Sequence, residues 1–179
     1  MTMTTKPIQP DPSSTQDPLA HAIESVIRSY ESDPRGQHLN ATFLPSRAKT
    51  IEIIELLRRI LFPGFFDDHR LTTQTLRYHV GELMAELHEK LHDQVRQAIR
   101  YEQCRQSGDQ ADGEACDQLA RDITCKFIAR IPELRRLLIL DVQAGFDGDP
   151  AASSLDEIIF CYPGLDVIFT HRIAHELYK

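Results

Sequence analysis

A chain of 179 residues is long enough to bury a hydrophobic core in one domain, with or without a tail. Its 41% hydrophobic and 26% charged residues are ordinary for a globular protein, and a net charge of −7, from 27 acidic against 20 basic residues, gives no footprint for nucleic acid. No stretch approaches the roughly 20 apolar residues of a membrane-spanning helix, and the prolines at Pro7, Pro10, Pro12 and Pro18 interrupt an N-terminus without the apolar centre of a signal peptide.

Residues 1–16 have little to bury against the entropy of ordering them and read as a disordered tail, leaving 17–179 as the folded domain. Asp17-Pro18 is an N-cap followed by proline in the first turn. Leu19, Ile23, Val26, Ile27 and Tyr30 then make an apolar stripe at helical period, which Asp33-Pro34 and Gly36 end. A linker leads to Pro45. Ser46 caps a second helix with Ile51, Ile54, Leu57, Ile60 and Leu61 among its apolar positions, and the turn Phe62-Pro63-Gly64-Phe65-Phe66 breaks it.

A long helix is expected from near Thr72 or Thr73, with Leu76, Val80, Leu83, Leu87, Leu91, Val95 and Ile99 on one face to pack against another helix. Residues 107–114 read as its exposed closing loop. The next helix carries Ala115, Leu119, Ile123, Phe127, Ile128 and Ile131, and Pro132 is expected to end or kink it. Residues 133–146 continue with Leu137-Leu138-Ile139-Leu140, and Gly148 suits a C-terminal cap. Ser154 and Glu157 form a capping box. After Pro163-Gly164 a last amphipathic helix turns Leu165, Ile168, Phe169, Ile173 and Leu177 inward. Without any convincing alternation of apolar and polar residues, the fold class is all-α, a multi-helix domain whose long helices run antiparallel.

Cys104, Cys116, Cys125 and Cys161 show no Cys-x-x-Cys pair or regular framework, so neither a disulfide scaffold nor a metal knuckle is expected. Cys125 and Cys161 lie in apolar runs and read as buried thiols, in keeping with a reducing compartment. His88 with His92, and His171 with His175, share helix faces at a spacing of four. Zinc needs a third protein ligand and an ordered second shell. Glu176 lies about 100° round the helix from His175, so the pairs read as surface or interface histidines. Residues 44–50 lack the glycines of a phosphate-binding loop.

Asp149 carries the most chemical interest. It sits in Phe146-Asp147-Gly148-Asp149-Pro150, between two helices, where the following proline biases it towards an extended conformation. A carboxylate on such a turn either caps the turn or pairs with an amino group.

Taken in order, Leu44-Pro45-Ser46-Arg47, Asp149-Pro150-Ala151, Tyr162-Pro163-Gly164 and His171-Arg172-Ile173-Ala174-His175 resemble the N-terminal helical domain of the serine O-acetyltransferases, which make O-acetylserine for cysteine synthesis. The resemblance runs from Leu44 to Lys179, about three quarters of the chain. Residues 46–65 look like the longer N-terminal domain of one bacterial branch rather than the shorter enteric type.

The resemblance implies that Asp149 binds the amino-acid substrate, and also cysteine, the feedback inhibitor that competes for the same place. In the family a histidine oriented by an aspartate deprotonates the serine hydroxyl, which attacks the thioester of acetyl-CoA. Both groups, and the CoA surface, belong to a left-handed β-helix of hexapeptide repeats that follows the helical domain. This chain is therefore expected to hold no catalytic residue, to bind no cofactor or metal, and to be inactive alone; acetyl-CoA is the co-substrate of the family. The implied partners are other copies of the chain, as a trimer or a dimer of trimers, with L-serine, cysteine and cysteine synthase, in the cytoplasm. A chain ending mid-helix at Tyr178-Lys179 points to a truncated enzyme. The alternative is a freestanding helical oligomerisation or adaptor domain without catalysis; a helical metal-binding protein would rest on the histidine pairs alone.

Overall fold

Capping by local side chains sets where three of the helices begin. The computed structural model describes residues 17–39, 42–107 and 113–179. The helices are α1 (Pro18–Ser32), α2 (Arg47–Leu61), α3 (Leu76–Ser107), α4 (Gly113–Gly148), α5 (Leu155–Cys161) and α6 (Pro163–Tyr178), with a 3-10 turn at Pro34–Gly36 and no strand among the described residues. Asp17 accepts the Leu19 N–H at 3.0 Å, Ser46 the Lys49 N–H at 3.4 Å, and Ser154 the Glu157 N–H at 3.2 Å. At α5 the capping box is displaced by one residue, because the Glu157 carboxylate accepts from the N–H and hydroxyl of Ser153, at 2.8 and 2.6 Å, instead of the Ser154 N–H.

The chain divides into two compact units, Met1–Ala41 and Thr42–Lys179. In the first, α1 buries no residue, and its stripe of Leu19, Ile23, Val26, Ile27 and Tyr30 is exposed. The tail expected at residues 1–16 lies outside the described residues, as does most of the loop expected at 107–114.

In the second unit, α2 runs antiparallel to α3. The Ser46 N–H donates to Gln94 Oε1 at 2.8 Å, Lys49 meets Asp93 at 3.0 Å, and Lys90 meets Glu52 at 2.5 Å. Beyond these polar rungs Ile53, Leu57, Ile60 and Leu61 share one core with Leu83, Leu87 and Leu91. Each such side chain taken fully out of water contributes about 1.5–3 kcal/mol. Helix α6 runs back along α4, with Arg172 in a two-bonded ion pair to Asp141 and Arg130 bonded to Glu176 at 2.9 Å, over buried Leu165, Phe169 and Ile173. Helix α3 begins at Leu76, after a turn at 73–75, three or four residues later than the threonines suggest.

Three sequence expectations need correction. Of the two expectations at Pro132, an end or a kink, the end does not occur: the proline is exposed, and the helix continues to Gly148. A proline inside a helix costs about 3 kcal/mol, but Phe127, Ile131, Leu134 and Leu138 on both sides of it share one core, and their burial outweighs that cost. Cys125 and Cys161 are exposed, and the fully buried thiol is Cys116, which donates to Gln103 Oε1 at 3.0 Å. The inward seam of α4 is Cys116, Ala120, Thr124, Phe127, Ile131, Leu134, Leu138 and Val142, one residue round from the expected Ala115, Leu119 and Ile123, so Cys125 falls outside it. Gly148 is the last residue of α4 but does not take the left-handed φ; among the described residues the left-handed glycine is Gly64, at φ 87°, in the aromatic turn.

Candidate functional site: the Asp149 turn

Helix α4 stops at Gly148, and the chain reverses into α5 through Asp149-Pro150-Ala151. The Asp149 carbonyl accepts the Ala152 N–H at 3.0 Å, and its Oδ1 accepts the Ala151 N–H at 2.9 Å, so the side chain copies a backbone turn. Its other oxygen, Oδ2, accepts the Tyr162 hydroxyl at 2.6 Å. This short distance is that of a charge-assisted hydrogen bond. The Tyr162 hydroxyl, and after it the Ala151 N–H, hold the Asp149 carboxyl below the usual carboxylate range. Reciprocally, the carboxylate pushes the Tyr162 phenol up to about 12. At neutral pH Asp149 is therefore an anion beside a neutral phenol. It is half-buried, and two of the roughly four acceptor positions of a carboxylate are taken by these partners. The remaining ones suit an ammonium group.

Helix α5 sets the separation of this pair. Ile158 and Ile159 bury α5 against the core, and at Gly145 the two helices are so close that a β-carbon would lie 3.2 Å from Ile158 Cγ2. Proline follows Tyr162, as it follows Asp149. Tyr162 accordingly has an extended backbone, φ −87° and ψ 108°, and serves as both the C-cap of α5 and the N-cap of α6. Both turns are legible in the sequence, but their contact is not. Its visible signal was the pair of Xaa-Pro steps flanking one short helix.

The other candidate residues lie apart from this turn chemistry. In His171-Arg172-Ile173-Ala174-His175, Ile173 is buried and Arg172 is bonded to Asp141, while the two histidine rings stack on the exposed side with centroids 6.1 Å apart. The His88 and His92 rings stack at 6.4 Å, and His92 Nε2 lies 3.5 Å from Asp117. No three His, Cys, Asp or Glu side chains converge as a metal site among the described residues. A wide apolar trough of about 870 Å³ opens between α2, α3, α4 and α6, lined by Ile54, Val95, Ile99, Leu119, Ile123 and Leu177. No helix among the described residues is long and apolar enough to cross a membrane.

No family model matches the chain. The plasmid-encoded serine acetyltransferase of Synechococcus elongatus is 37% identical to it over 161 residues, covering 88% of this chain and 50% of that protein. The chain thus spans about half the length of this curated relative. Among solved structures, serine acetyltransferase 1 of Entamoeba histolytica in complex with L-cysteine matches with a TM-score of 0.52 and 30% identity, over 70% of this chain and 39% of the other. Isoform 3 from the same organism, in complex with cysteine, matches with a TM-score of 0.50 and 28% identity, over 88% and 49%. In this chain the described residues that match these proteins form six helices and no strand. The chain belongs to the serine acetyltransferase family.

Proposed function

We propose that the chain is the helical domain of an enzyme that transfers the acetyl group of acetyl-CoA to the hydroxyl of L-serine, and that Asp149 receives the ammonium group of the amino acid. One observation carries the reading: Asp149 is an oriented, half-open carboxylate that stays ionised at neutral pH, in a chain related to enzymes solved with cysteine bound. Serine and cysteine share the ammonium and carboxylate ends and differ in one atom, so one carboxylate serves both as substrate anchor and as the place where cysteine competes. Proton removal from the serine hydroxyl and binding of CoA are assigned to the part of the enzyme outside this chain, and the chain by itself is expected not to turn over.

Assembly is the second role. The exposed stripe of α1 and the trough lined by Val95, Ile99 and Ile123 leave apolar surface of the kind that subunits cover, which supports a homo-oligomer. Four free cysteines suit a reducing compartment and support a cytoplasmic enzyme. The test is to assay Asp149→Ala in the whole enzyme. Serine use and cysteine inhibition should both weaken while the response to acetyl-CoA is kept; wild-type values for serine and cysteine would remove Asp149 from the site. Acetyl transfer by this chain alone, above background, would overturn the division of labour.

A further inference from the structure

Asp149 and Tyr162 stand at opposite ends of α5, each directly before a proline, and meet through one hydrogen bond of 2.6 Å. Apart from the Ala151 N–H, the phenol is the group that fixes the carboxylate, and among the described residues it alone holds Oδ2. Without it, the carboxylate would keep one anchor at Oδ1 and could rotate about its terminal torsion, which is broad for aspartate. The phenol comes from a distant turn whose position depends on buried Ile158 and Ile159 and on the close approach at Gly145. The carboxylate's direction is thus set by the packing of α5 and not only by its own turn.

From this geometry, and resting on the reading of Asp149 as the ammonium anchor, we infer that Tyr162 is a positioning residue for substrate. Its hydroxyl locks the Asp149 carboxylate in the orientation that meets the amino acid. Tyr162 touches no reacting atom in this account. It donates to Oδ2 and leaves the carboxylate's unused acceptor positions for the ligand. Because the phenol is neutral and its proton is committed to Asp149, it strengthens the anion without neutralising it.

The experiment is a double-mutant cycle in the whole enzyme with Tyr162→Phe, Asp149→Asn and the pair, reading KM and kcat for serine and KM for acetyl-CoA. Tyr162→Phe should raise the serine KM about tenfold, the order carried by one hydrogen bond to a charged group, with kcat and the acetyl-CoA KM nearly unchanged. In the Asp149→Asn background it should add little. Two results overturn the inference while sparing Asp149: Tyr162→Phe leaves the serine KM at the wild-type value although Asp149→Asn raises it, or the two effects simply multiply. If Asp149→Asn itself leaves the serine KM unchanged, the anchor reading fails, and the positioning role fails with it. A carbon-detected NMR titration of the Asp149 carboxyl in this chain provides a check that does not depend on turnover. Its midpoint should move upward in Tyr162→Phe, and an unmoved midpoint would show that the phenol does not hold the anion.

Discussion

The Asp67 side chain is fully buried where the aromatic turn after α2 meets the start of α3, and it provides a severe test of the packing. One oxygen accepts from Arg59 Nε at 2.9 Å and lies 2.8 Å from His79 Nε2; the other accepts the Gly64 N–H at 2.8 Å. An ionised carboxylate only accepts, so His79 Nε2 carries the proton of that bond. Replacing Asp67 with alanine strands one donor, on the buried His79, while the Gly64 N–H in the exposed turn and Arg59 at 31% exposure turn to water. At about 1–3 kcal/mol for the stranded group and about 0.5–1.5 kcal/mol for each of the two bonds lost to water, the loss should be about 2–6 kcal/mol. Urea unfolding followed by circular dichroism measures it, with the slope against denaturant unchanged.

The pH dependence has a definite sign. Burial pushes the Asp67 carboxyl up, but the Gly64 N–H, Arg59 and His79 together outweigh it and leave the group below its ordinary value. A group depressed in the folded state contributes stability above its unfolded pKa, about 3.9, and loses that contribution as pH falls through the folded value. The wild-type chain should therefore lose stability below about pH 4 more steeply than Asp67→Asn. A loss under about 1 kcal/mol in Asp67→Ala, or parallel acid limbs, would refute the reasoning.

Other consequences are simpler to check. Pro132→Ala, on the exposed side of α4, should raise stability by about 1–3 kcal/mol in the same urea assay, by restoring a helix hydrogen bond. Leu138→Ala, fully buried in mid-α4, should lower it by about 2–5 kcal/mol. A soluble thiol reagent should modify Cys125 and Cys161 in the native chain, while Cys116 should react only on unfolding, as mass spectrometry of the labelled peptides would reveal.

The features that were legible in the sequence are the local ones. Asp17, Ser46 and Ser154 cap helices within three residues of themselves, so their roles need no tertiary knowledge. The seam of α4 was displaced because Leu119 and Ile123 are larger and more apolar than Cys116, Ala120 and Thr124. In the fold the small residues make the close contact, while Leu119 and Ile123 line the open trough. Pro132 misled for a related reason: its penalty is local, whereas the burial that outweighs it spans the helix on both sides. At the candidate site the turn geometry of Asp149 could be read from Gly-Asp-Pro-Ala, and both of its backbone hydrogen bonds are present. Its bond to Tyr162 could not be read. That contact depends on how α5 packs over Gly145, which no local pattern states.

The central claim is that Asp149 anchors the amino acid, and the affinity of the whole enzyme for cysteine measures it most directly, because a competitive ligand reports binding without chemistry. Calorimetric titration of wild type and Asp149→Asn with L-cysteine should show a loss of about tenfold or more in affinity, as expected when one partner of a charge pair is neutralised. Equal affinities in the two proteins would contradict the account.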